Sequence, residues 1–357
     1  MPSILPPYPE HLSPEAPLTR ISLSSLLAHD HTIEAALISI CQSHGFFYLD
    51  LTTHPQGQHL LTTASTLLTL AETAFRLPQP TKDALTFDRT DSLFGYKAGG
   101  KIAQTDPHRR QDRAEFWNVS KDDLLANRGC RAVAYPDAIW ARKTELRTFV
   151  ETAHAVGMRV LEVLARRVLG VEAGVLEARH RIGELSGDHV RMTWAPGEEE
   201  GVGAGAEDEE AEPRPTTAPH TDFGSVTLLF NWAGGLQIES QESKKWEWVR
   251  PLLGHAICNL GDAMVEFSGG RVMSGKHRVV AAPGEQVKSE RYSLVYFVRP
   301  EDEVYLEDLT QSTVNKSGTN GVEYVKAKDW IMKRAELLGN EMDKPMESKK
   351  SGQSPFG

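Results

Sequence analysis

Apolar positions change their spacing once along this chain. Before about residue 185 they recur mainly at helical intervals, and after it they come in short runs broken by glycine. Ile33, Ala36, Leu37 and Ile40 predict a helix over His31 to Ser43, which Gly45 stops. Ile21 to Leu23 and the aromatic stretch Phe46 to Leu51 read as strands. A second helix is expected from about Gln58 to Phe75, ending before Pro78 and Pro80. Residues 87–113 have little periodicity and predict a long loop, of a kind that is often functional. Glu115 to Ser120 returns to a strand pattern. Ile139, Leu146, Phe149, Val150, Ala153, Val156, Val160 and Leu164 mark one face of a long helix over about Pro136 to Leu169, read as a scaffold backing a sheet. A short helix over about Glu172 to His180 is expected next.

The second half predicts strands at 190–194, 226–231, 236–239, 246–249, 256–260, 263–267, 271–274, 277–281 and 291–299, several separated by glycine turns. Strands this short and this closely spaced indicate a jelly roll or barrel. Helical period returns over Val325 to Leu338, and residues 340–357 are polar and expected to fray.

Composition narrows the class. The 357 residues are 40% hydrophobic and 25% charged, as in ordinary soluble proteins. No apolar run approaches the ~20 residues of a membrane span, and the proline-rich start lacks a basic region, so no secretory signal is expected. Cys41, Cys130 and Cys258 are odd in number and far apart. They read as packing thiols in a reducing cytoplasm. Net charge is −10, yet Glu198 to Glu212 holds eight acids and the only base nearby is Arg214. The Gly/Glu/Ala stretch 197–218 therefore reads as a mobile, solvated loop near the mouth of the site, where it could act as a lid. The remainder is close to neutral and has no basic stripe, which argues against a nucleic-acid partner.

Candidate chemistry centres on Pro219-His220-Thr221-Asp222-Phe223-Gly224-Ser225. Residues two apart in an extended segment point the same way, so His220 and Asp222 can face one point. A chain with 13 histidines yields such a pair by chance, so a third ligand is needed. His277, in Gly275-Lys276-His277-Arg278-Val279, supplies it. Two histidines and one carboxylate leave one face of a metal open, which suits ferrous iron that takes oxygen and a co-substrate together. In the last strand Arg291, Ser293, Val295 and Phe297 share a face, and Tyr292, Leu294 and Tyr296 make the other face apolar too. An arginine in so buried a strand requires an anion. That anion is either a ligand carboxylate held by two parallel bonds or a protein acid in a structural salt bridge. The remaining histidines, His189 among them, have no carboxylate two residues on. They read as surface or packing residues.

Taken in order, these motifs resemble the 2-oxoglutarate- and Fe(II)-dependent dioxygenases, in the branch that includes isopenicillin N synthase. His220-Thr221-Asp222-Phe223-Gly224-Ser225, Gly235-Leu236-Gln237-Ile238, Trp248-Val249-x-Pro251, Ser268-Gly269-Gly270, His277-Arg278-Val279 and Arg291-x-Ser293 carry the likeness, with Gly45-Phe46-Phe47-Tyr48 near the start. The resemblance implies a mainly β fold with flanking helices: a double-stranded β-helix (jelly-roll) core with an N-terminal helical region. It suggests an extended segment 1–18, a helical region 19–185, a catalytic core 186–300 with an acidic mobile loop 197–216, and a C-terminal helix and tail 301–357. It implies that His220, Asp222 and His277 hold Fe(II), and that Arg291 and Ser293 bind the distal carboxylate of 2-oxoglutarate. Where the family often has Asn-Tyr-Tyr-Pro, this chain has Thr193-Trp194-Ala195-Pro196, so Thr193 can still donate a hydrogen bond there and Ala195 cannot.

The activity implied is oxidative decarboxylation of 2-oxoglutarate, with O2 as co-substrate, coupled to hydroxylation, desaturation or ring closure of a small organic molecule such as a secondary metabolite. The substrate pocket is expected between the 87–113 loop, strand 190–195, residues near Phe230-Asn231-Trp232 and the C-terminal helix. No obligate protein partner is expected. Two alternatives stand beside this: an iron oxidase of the same fold that does not use 2-oxoglutarate, and a non-catalytic binding protein.

Overall fold

The computed structural model describes residues 5–88, 90–102, 105–106, 108–198, 215–310 and 324–339. Its strands are β1 (Arg20–Ser22), β2 (Phe46–Asp50), β3 (Gly95–Lys97), β4 (Glu115–Ser120), β5 (His189–Ala195), β6 (Pro215–His220), β7 (Val226–Asn231), β8 (Leu236–Glu239), β9 (Trp246–Trp248), β10 (His255–Leu260), β11 (His277–Val280) and β12 (Arg291–Val298). They form an eight-stranded sheet, β1-β2-β10-β7-β12-β5-β4-β3, and a four-stranded sheet, β6-β11-β8-β9. All named pairs are antiparallel except β1 with β2. Strand-rich sheets flanked by helices are what the sequence pattern predicts.

Alternation along the central strands divides the core in two. Phe47, Leu49, Leu228, Cys258, Leu294 and Tyr296 point to one face and join the main core with the helices. Phe46, Tyr48 and Ile257 point the other way and meet Leu236, Ile238 and Val249 of the smaller sheet's side. Polar residues on this second face therefore look into the space between the sheets. The helix Lys143–Leu164 backs the first face, and the seven apolar stripe residues it carries are buried, as is Ile139 in the short helix before it. Gly45 stops the His31–Ser43 helix as expected. Its φ is +70°, and a Cβ there would collide with the Met273 carbonyl.

Several local expectations are corrected. The helix expected over 136–169 is a short helix Asp137–Trp140, a break at 141–142, the helix Lys143–Leu164 and a wider π turn Ala165–Leu169. Between Glu172 and His180 only a 3-10 turn, Glu177–Arg179, is present. The strand expected at 263–267 is a helix, Asp262–Phe267, and 271–274 forms no strand. Residues 215–218, expected within a mobile loop, belong to β6. Residues 199–214, which hold most of the acidic loop, lie outside the described residues, as do 340–357. Cys41 and Cys258 are buried, whereas Cys130 is only half-buried.

Candidate metal centre

Register brings the ligand candidates together. His277 of β11 pairs directly with His220 of β6, so their rings emerge side by side with centroids 4.3 Å apart. Asp222 follows two residues on. One ligand atom from each of His220, Asp222 and His277 lies within 4.8 Å of the others. Asp222 Oδ1 is 3.8 Å from His220 Nε2 and 3.9 Å from His277 Nε2.

Every other polar atom of the trio is already engaged. His220 Nδ1 faces the Ala218 carbonyl at 2.8 Å, and His277 Nδ1 faces the Gly275 carbonyl at 3.1 Å. Each imidazole thus donates through Nδ1 and keeps the Nε2 lone pair for a ligand. Thr227 Oγ1 and Asn259 Nδ2 both donate to Asp222 Oδ2 at 2.7 Å, leaving Oδ1 for the shared point. Thr227 on β7 and Asn259 on β10 are register partners, which is why both reach the same oxygen. Burial, with His277 alongside, pulls His220 down to about 4 and keeps it neutral. Burial acts to raise Asp222. The two histidines, Asn259 and Thr227 outweigh it and hold the carboxyl below its ordinary value.

The smaller helix fixes the turn behind the trio. Asp262 and Ala263 begin it, and their N–H groups donate to the carbonyls of Asp222, Phe223 and Gly224. Asp262 Oδ2 in turn accepts from Thr221 Oγ1 at 3.0 Å and from Arg334 Nη1 at 2.6 Å.

Arg291 and Ser293 lie on the inward face of β12, opposite Ala195 and Thr193 of β5. Arg291 is 5% exposed; its Nε donates to the Gly234 carbonyl at 2.8 Å, and its Nη2 is buried with no partner among the described residues. Burial draws its pKa down to about 10. No protein acid pairs with it among those residues, so the structural salt bridge has no partner among them. Iron and 2-oxoglutarate both fit what is present. The trio is the donor set expected for an open-faced ferrous site, and a fork with a spare N–H stands on the same inward surface.

A cavity of about 780 Å³ opens onto His220 and Asp222. Its walls include described residues of the 87–113 segment, β5 through Arg191 and Thr193, and the C-terminal helix through Ala335, as expected, though that segment also carries the strand β3 and is not loop throughout. Residues 230–232 do not line it, a correction: Phe230 packs in the main core, and Asn231 donates to the Ala233 carbonyl. Arg291, Ser293 and His277 are not among its lining residues. Sequence reasoning missed Thr227 and Asn259 beside the carboxylate, and Arg191, His189 and Arg299 on the cavity wall. Alternation on β5 and β12 does place the last three inward.

Residues 206–300 match the 2OG-Fe(II) oxygenase superfamily, and residues 17–140 match the N-terminal region described as that of a non-haem dioxygenase in morphine synthesis. The chain is 31% identical over 317 residues to the 2-oxoglutarate-dependent dioxygenase frbH of Dothideomycetidae sp. (strain 11243), covering 88% of each protein. It is 28% identical to a 2-oxoglutarate-dependent dioxygenase of Aspergillus fumigatus, covering 87% of this chain and 82% of that one. Its fold matches that of a full-length Neurospora crassa protein solved in complex with alpha-KG and thymine, with a TM-score of 0.68 at 23% identity, over 89% of this chain and 96% of that one. Matching that extends through both regions, together with 31% identity over nearly all of the chain, shows that this protein belongs to the 2OG-Fe(II) oxygenase superfamily and is a 2-oxoglutarate- and Fe(II)-dependent dioxygenase.

Proposed function

We propose that His220 Nε2, Asp222 Oδ1 and His277 Nε2 are the iron ligands, that Arg291 and Ser293 take the distal carboxylate of 2-oxoglutarate, and that Thr193 borders the co-substrate from β5. The observation that carries this reading is the convergence of three donor atoms whose remaining polar atoms are all tied elsewhere. With iron, 2-oxoglutarate and oxygen bound, the centre oxidises a substrate C–H bond while 2-oxoglutarate is decarboxylated to succinate. The chain's own work is placement. The Ala218 and Gly275 carbonyls hold the two imidazoles, and Thr227 and Asn259 hold the carboxylate. Phe46 packs edge-on against His277, with ring centroids 5.3 Å apart, and helps shield that side from water. Since Ala195 offers no hydrogen bond, Arg291 carries most of the co-substrate's anchoring.

The cavity volume suits a small organic molecule, and its mixed aromatic and charged walls suit a metabolite with polar groups. A small molecule, thymine, occupies the Neurospora crassa relative of the same fold, which supports substrates of that scale. We assign the substrate to secondary metabolism, and the enzyme to the reducing cytoplasm, acting without nucleic-acid or membrane partners. Buried free Cys41 and Cys258 suit that compartment. Among the described residues no helix is long and apolar enough to cross a membrane.

Anaerobic iron titration in the presence of 2-oxoglutarate tests the ligand assignment. The wild-type protein takes up one iron with a visible absorption band. His220→Ala and Asp222→Ala lose affinity by about 100-fold or more, since each leaves a ligand position empty. Wild-type affinity in either variant would refute it.

A further inference from the structure

Arg299, just past β12, continues the inward alternation of Arg291, Ser293, Val295 and Phe297. It is 4% exposed and lines the cavity that opens onto His220 and Asp222. Among the described residues its guanidinium makes no hydrogen bond and no ion pair, and its Nε and Nη1 are buried without partners. Asp188, the acid whose charge acts on it most, is already engaged: Oδ1 takes the Arg299 backbone N–H at 2.7 Å and Oδ2 takes the Tyr296 hydroxyl at 2.9 Å. Asp222 Oδ2 is engaged by Thr227 and Asn259. The other acids on the wall have partners too. Asp112 pairs with Lys97, Asp83 accepts from Gln79, and Asp88 accepts from Thr90.

The fold makes room for this side chain. A Cβ at Gly224, two residues after Asp222, would lie 2.9 Å from Arg299 Cγ. One at Gly187 would lie 2.9 Å from its Cδ and 3.0 Å from its Nη1. The neighbouring surface is positive as well: Arg299 Cζ and Arg191 Cζ stand 5.5 Å and 4.9 Å from the Phe297 ring centre. His189 adds an acceptor, because its Nδ1 faces the Gly187 carbonyl at 2.8 Å and its Nε2 is buried with no partner.

Asp188 lends Arg299 a nearby negative charge, yet no anion hydrogen-bonds its guanidinium among the described residues. A buried guanidinium with unsatisfied N–H groups is expensive, and its planar fork matches a carboxylate through two parallel bonds. We propose that Arg299 binds a carboxylate of the substrate, so that the molecule oxidised is an organic acid. This rests on the iron and 2-oxoglutarate reading above and deepens it. Phe297 is the register partner of Thr227, which holds Asp222, so the metal ligands stand near the Arg299 end of β12 and the co-substrate arginine stands at the other. The two acids would then bind at opposite ends of one strand.

The test uses the enzyme loaded with iron and 2-oxoglutarate in the absence of oxygen, with benzoate and phenylacetate as probes and benzamide and phenylacetamide as their neutral counterparts. The carboxylates, at up to about 10 mM, perturb the visible band and the amides do not. Arg299→Met weakens the carboxylate response by about 30-fold or more and leaves the band itself intact. Arg299→Lys, which keeps charge without the fork, falls between. A band that ignores carboxylates, equal responses to acids and amides, or an unchanged carboxylate response in Arg299→Met would each overturn the proposal. Failure of the band to form in the wild type would instead overturn the reading of the metal centre.

Discussion

The two oxygens of Asp222 have different surroundings. Oδ2 takes hydrogen bonds from Thr227 and Asn259, and Oδ1 alone turns toward the histidine nitrogens. Such supporting bonds hold a ligand in one orientation, and their loss typically weakens metal binding 10- to 100-fold. Asn259→Ala and Thr227→Val should therefore each weaken iron binding by about tenfold, read by competition with a coloured chelator, while the unloaded protein still folds. Unchanged affinity in both variants would mean that the carboxylate needs no such support. The proposed ligands were legible in the sequence, because an x-gap pair and a later histidine form a recognisable set, and the structure brings those three side chains together. Their supports were not. Thr227 and Asn259 stand on separate strands and meet only through the pairing of β7 with β10. Arg299 was hidden for another reason: a guanidinium left without hydrogen-bond partners is a property of three-dimensional surroundings, and no local spacing reveals it.

At the level of elements, the helices with long apolar stripes were readable and the short segments were not. Asp262–Phe267 shows why. A short apolar run fits a strand or a helix equally by periodicity. Here the backbone N–H groups of Asp262 and Ala263 find carbonyls in the turn after Asp222, and Ala263, Met264 and Phe267 bury one helical face. The helix Lys143–Leu164 meets β12 at Gly157, where an added Cβ would stand 2.8 Å from Val298 Cγ2 and 3.9 Å from Leu228 Cδ1. Helix propensity favours alanine there by about 1 kcal/mol. The clash opposes it, and overpacking a tight core costs about 1–3 kcal/mol. Valine is stiff at χ1, so the methyl cannot easily swing aside. Gly157→Ala should thus destabilise by about 1 kcal/mol in urea unfolding, and Val298→Ala should destabilise on its own. The double variant should lose less than the sum, because the alanine at 157 fills the space vacated at 298. Strict additivity would show that the helix and strand do not press on each other at this point.

Over the whole molecule, strand content was legible but strand order was not. The larger sheet joins β2 to β10 and β12 to β5, pairings between segments far apart in the chain that no local pattern specifies. The same long-range closure buries histidines that the sequence leaves looking ordinary. His180, in the turn ahead of β5, has Nδ1 2.7 Å from the Leu176 carbonyl and Nε2 2.7 Å from Ser225 Oγ, so it ties the first half of the chain to the turn after Asp222. Burial pulls His180 down to about 4 and drives His189 well below its ordinary value. In the unfolded chain both titrate near 6.5. As pH falls below that value the unfolded chain binds protons that the native protein refuses, so stability drops with pH. For His180 the loss begins near 6.5 and is complete only once pH passes the folded value of about 4. Asp188, held below its ordinary value because His154 and Lys121 outweigh its burial, loses its contribution at lower pH still and does not blur this window. His180→Gln keeps an amide for the same two partners and cannot titrate. Its unfolding free energy, measured in urea between about pH 4.5 and 6, should fall less steeply than that of the wild type, by about 1.4 kcal/mol per pH unit for the one proton removed. Parallel slopes would show that His180 is protonated in the native protein, and that the join it makes between the two halves is not held by a neutral ring.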